Sequence, residues 1–359
     1  MTLEEARASF PVLERLAYLN AGTTGPLSRR TFYAMQAGDR DEFENGRFGG
    51  PYFESMMRTR EELRAALGTV IAVPGEMVAL TNSTSEGCNV VLAGLDLAPE
   101  DEIVTTDVEH FGLLGPLHAS GARVRVAKIR DRPAAEAFGI IRAEIGARTK
   151  LVALSHVAWS TGNVLPVAEL REAASVPLLV DGAQSAGAIP VDASAFDFYT
   201  VSGQKWLCGP APTGGLYVRD PEGLRVARPS YFGQSAYELD GSFTPRAGAE
   251  RYDTGWMSPG YLAGLASAIG EAPEWRFERA AEMAGRCRAR LSERFELVTE
   301  RDQATLVTWR AEGDAAEVAQ RAFATGVVIR DLPGSGWLRA SCGYWTSDED
   351  IDRLLAALG

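Results

Sequence analysis

The chain has 359 residues, 46% of them hydrophobic, and its 36 basic and 48 acidic side chains give a net charge of -12 at pH 7. A chain of this length can bury substantial cores in about two domains, so we expect an ordinary globular protein. No basic run is present that would gather phosphates, which argues against nucleic acid as a partner.

The first twenty residues, MTLEEARASFPVLERLAYLN, place apolar residues at helical spacing between charged ones and do not match a signal peptide. No stretch approaches the ~20 apolar residues that cross a bilayer, so we expect a cytoplasmic protein without a membrane partner. Four cysteines without paired spacing predict neither disulfides nor a zinc knuckle, and three histidines are too few to suggest a metal site.

Short apolar runs alternate with helical patterns between about residues 65 and 220. The predicted strands are DEIVTTD, ARVRVAKI, TKLVALSHV, PLLVDGAQ, FDFYTVSG and GGLYVRD, with helices at AAEAFGIIRAEIG and VAELREAA. This alternation predicts a mainly parallel sheet covered on both faces. Ligands of such sheets bind beyond the carboxyl ends of the strands.

A turn-rich segment, residues 228–260, is typical of an active-site or dimer loop. After it, residues 262–295 predict one long helical stretch. Three short strand patterns follow, ATLVTWRAE, GVVIRD and GWLRASCGY, and then a last helix capped by Ser347. We therefore predict a large domain of residues 16–260 and a smaller α+β domain of residues 1–15 and 261–359.

Asp181 and Lys205 form the most informative pair. Asp181 ends the strand PLLVDGAQ, and Lys205 follows the strand FDFYTVSG. Alone, Asp181 could be a helix cap and Lys205 a surface lysine. A desolvated lysine, however, has a lowered pKa that favours Schiff-base chemistry. Pyridoxal phosphate needs both groups, a lysine for its aldehyde and an acid that keeps its pyridine nitrogen protonated.

Other residues fit such a cofactor. Hydroxyl residues from Ser83 to Ser85 precede Gly87 and a helix, where free N–H groups bind phosphate, although a plain serine cap explains this stretch nearly as well. His110 could lay its ring on a planar cofactor or be a structural histidine. Arg339 could grip a substrate carboxylate with two parallel hydrogen bonds or form a structural ion pair.

The motifs STSEGCN, EHFGLL, SHVAWSTGNVLPV, VDGAQSAG, SGQKWLCGP and LRASCGYWTSDEDIDRLL occur in this order along nearly the whole chain. Together they resemble the class V aminotransferase group of fold type I pyridoxal phosphate enzymes, the group of the cysteine desulfurases. The resemblance implies an α/β fold with a large domain around a mainly parallel, seven-stranded sheet and a smaller α+β C-terminal domain. It also implies a homodimer that acts on a small amino-acid substrate.

The resemblance assigns roles by position. Lys205 would carry the cofactor, Asp181 would pair with the pyridine nitrogen, Gln184 would touch the phenolic oxygen and His110 would stack on the ring. The matching phosphate-binding positions are Thr84, Ser85, Ser202 and Gln204. The matching substrate-binding positions are Arg339, Asn20 and Trp159. Two departures weaken the phosphate side: Gln204 stands where the family has histidine, and Trp256 stands near a threonine that the partner subunit lends in the family.

The resemblance also favours one reaction. Desulfurases use a cysteine on a mobile loop upstream of the arginine strand, yet residues 317–337 contain none, and Cys342 follows Arg339 in the same strand. Trp159 stands where desulfurases have asparagine, as in the cysteine/cystine C–S lyases. We therefore predict β-elimination from cysteine-like, cystine-like or S-conjugated amino acids, giving pyruvate, ammonia and a thiol or persulfide.

Three alternatives stay open. One is a class V aminotransferase or an epimerase that resembles isopenicillin N epimerase. The second is a desulfurase-like enzyme without the loop cysteine. The third is a binding protein that has lost catalysis.

Overall fold

The computed structural model describes residues 1–359. Its strands are β1 Ala17–Tyr18, β2 Val78–Thr81, β3 Glu102–Thr106, β4 Arg123–Ala127, β5 Thr149–Ser155, β6 Leu178–Asp181, β7 Phe198–Ser202, β8 Gly214–Val218, β9 Gln234–Tyr237, β10 Phe243–Pro245, β11 Leu306–Arg310, β12 Val327–Val328, β13 Arg330–Leu332 and β14 Trp337–Ser341. Its α-helices are α1 Leu3–Ala8, α2 Arg29–Asn45, α3 Gly49–Val70, α4 Thr84–Gly94, α5 Phe111–Ala119, α6 Ala137–Glu144, α7 Val167–Ala173, α8 Pro259–Glu271, α9 Arg276–Ser292, α10 Ala315–Ala324 and α11 Asp348–Leu358. None of these helices is both long and apolar enough to span a membrane.

A seven-stranded sheet forms the centre of the molecule. Its strand order is β2-β8-β7-β6-β5-β3-β4, and β8 alone runs antiparallel to its neighbours. The six predicted strands are confirmed as β3 to β8. β2 was not predicted, because its four residues, VALT, are too few to show a period.

Both faces of this sheet are buried, as a parallel sheet between two layers of helices requires. In β5, Val152 and Leu154 enter one hydrophobic core, while Leu151 and Ala153 enter the core on the opposite face. Side chains of a strand alternate between its two faces, so this split follows from the period of two. The apolar run is continuous because neither face meets water.

The parallel strands end at one edge of the sheet, and the polar residues predicted for the site gather there. Ser155 lies opposite Asp181, and Asp181 lies opposite Thr200. Ser202 ends β7 and is also buried. The expectation that strand-end residues meet at the carboxyl edge is therefore confirmed.

The C-terminal part is a three-stranded antiparallel sheet, β11-β14-β13, which shares a second core with α9, α10 and α11. Ser347 caps α11 in a capping box with Asp350, as predicted. The prediction of one helical stretch over residues 262–295 is wrong. Ala272 takes an extended conformation (φ -63°, ψ 126°) before Pro273, which separates α8 from α9, because the residue before a proline is disfavoured in the helical region.

Residues close to the two predicted domain borders differ in the hydrophobic core to which they belong. Leu262 and Leu265 of α8 belong to the core of the large sheet, whereas Ala17 and Leu19 belong to the C-terminal core. The division at residues 16 and 260 stays a prediction.

Candidate active site

A cavity of about 200 Å³ opens where the carboxyl edge of the large sheet meets β13 and β14. Its lining residues are Gly22, Thr23, His110, Trp159, Gln184, Lys205, Arg330 and Arg339. Five of them are predicted site residues. A larger cavity of about 340 Å³ lies beside α9 and contains no predicted site residue, so side-chain chemistry rather than size selects the smaller cavity.

Lys205 lies on the loop that follows β7. Gly25 N–H donates to the Gln204 carbonyl at 2.8 Å, which ties this loop to the N-terminal segment. Burial, together with the charges of Arg339 and Arg330, lowers the pKa of Lys205 to about 8, although the charge of Asp181 opposes the shift. A lysine with such a pKa has a substantial share of neutral, nucleophilic amine near neutral pH.

Asp181 ends β6 and is 3% exposed. Its Oδ1 accepts hydrogen bonds from Ala183 N–H at 2.9 Å and from the Thr200 hydroxyl at 3.4 Å. Its Oδ2 accepts none from the chain. One oxygen is therefore fixed by the protein, and the other is available to a protonated ring nitrogen.

The start of α4 offers donors for an anion. The Ser83 hydroxyl accepts from Glu86 N–H at 3.2 Å, and the N–H groups of Thr84 and Ser85 have no partner in the chain. A Cβ added at Gly87 would lie 2.8 Å from Thr200 Cγ2, so this glycine allows the helix start to lie close to β7. The arrangement suits a phosphate group.

Ser202 and Gln204 are joined to each other. The Ser202 hydroxyl donates to Gln204 Oε1 at 3.0 Å, which leaves the amide nitrogen of Gln204 free to donate. Glutamine can therefore supply the donor that histidine supplies in the family. Phosphate binding by these two residues stays a prediction.

His110 caps α5, and its Nδ1 accepts from Gly112 N–H at 3.0 Å. The neutral ring therefore carries its proton on Nε2. Burial and the charge of Lys205 lower the pKa of His110. The ring meets Trp159 edge to face, with centroids 5.1 Å apart and an interplanar angle of 85°. Stacking of His110 on a cofactor stays a prediction, and the neutral ring is suited to it.

Gln184 and Asn20 differ in how many of their hydrogen-bonding atoms have a partner in the chain. Gln184 Nε2 donates to the Gly22 carbonyl at 2.8 Å, and its Oε1 accepts from the Trp206 indole at 3.0 Å. One amide hydrogen of Gln184 remains for a ligand. Asn20 Oδ1 is buried without a hydrogen-bond partner. A buried acceptor of this kind is costly unless a ligand donates to it.

Arg339 is 1% exposed, and no carboxylate of the chain pairs with it. Its Nη1 donates to the Trp159 carbonyl at 2.6 Å, its Nη2 contacts the Thr23 hydroxyl at 3.5 Å, and its Nε has no partner. A Cβ added at Gly22 would lie 2.9 Å from Nη2, so only glycine leaves room for the guanidinium. The structure does not bear out the alternative of a structural ion pair for Arg339.

Arg330 was not predicted. It lies opposite Arg339 in the β13–β14 ladder, and its Nη1 donates to the Thr23 hydroxyl at 3.3 Å. Burial and the charge of Arg330 lower the pKa of Arg339. Two guanidinium groups without an acid are suited to anionic groups of a ligand. A weak signal was present in the sequence, since Arg330 follows the apolar run GVVI.

These observations fit pyridoxal phosphate and an amino acid. The cavity offers an amine and two arginines without acids, and nearby lie the half-free carboxylate of Asp181 and the unpaired N–H donors at the start of α4. These are the groups that such a cofactor and a substrate carboxylate need. The predicted residues are brought to one region, although the role of each stays a prediction.

Comparison with known proteins identifies the family. The model of the family described as Aminotransferase class-V matches residues 17–354. Isopenicillin N epimerase from Streptomyces clavuligerus is 28% identical over 397 aligned positions, which cover 99% of this chain and 97% of the epimerase. A cysteine desulfurase from Enterobacter sp. (strain 638) is 29% identical over 294 positions, covering 74% and 71%.

Solved structures of the protein C-DES have the same fold. A C-DES mutant with glycine covalently linked to the pyridoxal phosphate cofactor matches with a TM-score of 0.89 and 29% identity, covering 98% of each chain. The complex of this cystine C–S lyase with its reaction product cysteine persulfide matches with a TM-score of 0.88 and 29% identity, covering 97% and 98%. The predicted family, fold and cofactor are thereby confirmed. The chain belongs to the class V aminotransferase family, as a pyridoxal phosphate-dependent relative of the cysteine desulfurases and of the cystine C–S lyase C-DES.

Proposed function

We propose that this enzyme is a C–S lyase, which eliminates a sulfur leaving group from the β-carbon of cysteine-like, cystine-like or S-conjugated amino acids. The products are pyruvate, ammonia and a thiol or persulfide. The observation that carries this proposal is the pair of unpaired arginines, Arg330 and Arg339, in the wall of the cavity that contains Lys205. Cystine carries two carboxylates, and each can pair with one guanidinium.

The four cysteines support elimination rather than sulfur transfer to the enzyme. Cys88, Cys208, Cys287 and Cys342 are all buried, and none lines the cavity. Burial raises the pKa of Cys208, and a hydrogen bond with Cys287 together with burial raises the pKa of Cys342, which keeps both as thiols. No side chain of the chain is therefore placed to accept the substrate sulfur, so the sulfur leaves as a small molecule.

The chain's own groups suit this reaction. When bound, pyridoxal phosphate supplies the electron sink that makes the substrate α-proton acidic. Lys205 would hold the cofactor through a covalent bond from Nζ and, once the substrate amine has displaced it, would take the α-proton on Nζ as a neutral amine, a form that its pKa near 8 favours. Asp181 Oδ2 would hold a proton on the ring nitrogen. Arg339 binds the α-carboxylate and thereby orients the bond to the α-proton.

The test is a product assay on the loaded enzyme. Pyruvate is measured from cystine, from cysteine and from S-methylcysteine, with no added keto acid. We expect pyruvate from cystine and none with Lys205→Ala. Arg330→Ala should raise KM for cystine about 10- to 100-fold and change KM for S-methylcysteine less, because the second substrate has one carboxylate. The absence of pyruvate from all three substrates would contradict the lyase assignment.

A second candidate, an epimerase, has one specific observation in its favour, the 28% identity to isopenicillin N epimerase across 99% of this chain. An epimerase removes the same α-proton and returns one from solvent. In deuterium oxide it would give deuterated, inverted amino acid without pyruvate. The same assay therefore separates the two reactions.

We also propose that the enzyme is a homodimer. Large apolar side chains are exposed around α2, the start of α3 and the loop that carries Trp256: Tyr33 is 61%, Phe43 88%, Phe48 76% and Trp256 60% exposed. Several large apolar side chains exposed on neighbouring segments are typical of a protein–protein interface. A second copy covering this surface explains it. Sedimentation should give a dimer, and Phe43→Glu with Phe48→Glu should shift it to a monomer.

A further inference from the structure

A buried acid next to the site has no role in the reaction described above. Glu109 is 5% exposed, directly precedes His110, and pairs with no lysine or arginine. Its Oε1 accepts from the Thr106 hydroxyl at 2.6 Å, and its Oε2 accepts from Ser155 N–H at 2.9 Å and from the Ser155 hydroxyl. Burying an acid without a cation is costly, so this placement calls for an explanation.

The hydrogen bonds of Glu109 join two strands at the cavity edge. Thr106 ends β3, and Ser155 ends β5. The segment between β3 and α5, which carries His110, is therefore attached to β5 through one carboxyl group. Loss of this attachment would leave the His110 side chain held by the local bond from Gly112 and by its edge-to-face contact with Trp159.

Glu109 also lies close to Asp181, because Ser155 is the register partner of Asp181 in the β5–β6 ladder. Burial, with a smaller contribution from the charge of Asp181, raises the pKa of Glu109 to about 7, although the hydrogen bonds from Ser155 and Thr106 oppose the shift. Burial and the charges of Asp181 and Glu109 raise the pKa of the Cys88 thiol on α4, so both acids lie close to this thiol. A protonated cofactor facing Asp181 would bring a positive charge close to Glu109 and would favour its ionised form.

We propose that Glu109 is a positioning residue of this active site, which fixes His110 against the cavity and would add its negative charge to that of Asp181, the residue that would face the ring nitrogen of the cofactor. The charge stabilises a protonated cofactor without contacting it. The proposal rests on the cofactor and on the place of Asp181, and it is independent of which substrate the enzyme uses.

The test compares Glu109→Gln, Glu109→Asp and Glu100→Gln in the absence of substrate. Glu100 is exposed just before β3, so its replacement is a control with the same change of net charge. Two quantities are measured: the pH midpoint of the absorbance change of bound pyridoxal phosphate, and the dissociation constant of pyridoxal phosphate from the cofactor-free protein.

We expect Glu109→Gln to move the midpoint to lower pH by roughly 0.5 to 1 unit, because the protonated form loses a nearby negative charge. The dissociation constant should rise about 3- to 10-fold. Glu109→Asp keeps the charge and shortens the side chain, so it should raise the dissociation constant with little movement of the midpoint. Glu100→Gln should change neither quantity.

An unchanged midpoint in Glu109→Gln overturns the electrostatic part of the proposal, and an unchanged dissociation constant overturns the positioning part. Should Glu109→Gln fail to fold, Ser155→Ala removes one donor and keeps the charge; it should still weaken pyridoxal phosphate binding, and unaltered binding would refute the positioning role. These measurements use the cofactor alone. Failure of the lyase assignment would leave them unaffected.

Discussion

Arg330 and Arg339 lie opposite each other on adjacent antiparallel strands, and both guanidinium groups reach the Thr23 hydroxyl with no carboxylate in range. Two cations in this position repel each other and gain no ion pair that would offset their loss of hydration. The fold alone does not account for the pair. We propose that a ligand with carboxylates does.

Because neither arginine of the pair has an acidic partner, we predict that replacing Arg339 stabilises the fold and weakens substrate binding. Arg339→Met should raise the free energy of unfolding of the cofactor-free protein by about 1 kcal/mol, because a buried unpaired cation is replaced by an apolar side chain. The same change should raise KM for cystine at least about 100-fold. Urea unfolding and steady-state kinetics measure the two effects.

Arg310→Met is the control for this prediction, since Arg310 is exposed at the end of β11 and pairs with Glu296. It should leave KM unchanged. A strong loss of stability in Arg339→Met would show that the guanidinium serves the fold through its bond to the Trp159 carbonyl.

The lowered pKa of Lys205 predicts how the cofactor-free protein takes up pyridoxal phosphate. With a pKa of about 8 instead of 10.5, the neutral amine becomes the main form above pH 8. The rate of covalent attachment should therefore rise about tenfold per pH unit below 8 and level off above it. Borohydride trapping followed by peptide mass analysis measures the attachment.

The same pKa has a consequence for stability. Because the folded-state pKa lies below the unfolded value, the unfolded chain binds the extra proton between pH 8 and 10.5, and Lys205 makes stability rise with pH in that window. Lys205→Met should remove this rise, whereas Lys150→Met, at an exposed position, should retain it. A wild-type protein whose uptake rate keeps climbing to pH 10 would contradict the lowered pKa.

The lowered pKa of His156 predicts how the stability of the fold changes at acid pH. It packs against Phe196 and Tyr199, its Nδ1 has no partner, and burial lowers its pKa to about 4. His156 of the unfolded chain therefore binds a proton below pH 6.5, whereas His156 of the folded chain binds it only below about pH 4. Stability should fall by up to about 3 kcal/mol across that window.

His156→Phe should flatten this loss, as measured by urea unfolding at a series of pH values. His118→Gln, on the exposed side of α5, should behave like the wild type. If His156→Phe loses as much stability at acid pH as the wild type does, protonation of carboxyl groups and not of His156 causes the loss.

The sequence predicted the residues whose positions depend on local signals. Asp181 and Ser202 end apolar runs, and a run of that kind specifies both a strand and the edge at which it ends. Pro273 was a local signal for the end of a helix, but the apolar spacing on both sides of it led to the wrong prediction of one continuous helix. Arg330 was missed because its position opposite Arg339 depends on the register between two strands, which no local pattern encodes.

Asp253 is another residue that only the structure reveals. Its Oδ1 accepts from Arg64 Nη1 and from Leu80 N–H, each at 2.8 Å, and its Oδ2 accepts from Arg60 Nη2 at 2.9 Å and from Arg64 Nη2 at 3.0 Å. All three charged side chains are at most 1% exposed. Arg60 and Arg64 lie four residues apart on α3, so one carboxylate can bridge both.

This network fixes the segment that leads to Trp256 onto α3 and β2, close to the start of α4. Asp253→Asn should lower the free energy of unfolding by about 3 to 5 kcal/mol, because it leaves the buried Arg60 without a charge partner and Arg64 with only the exposed Glu61, whose Oε1 lies 3.5 Å from Arg64 Nε. Asp240→Asn, in the exposed hairpin between β9 and β10, changes the same charge and should cost little. Urea unfolding of both variants measures the difference. A loss below about 1 kcal/mol in Asp253→Asn would mean that the amide, together with Phe232, which lies 4.3 Å from Arg60, is sufficient to hold the two arginines in place.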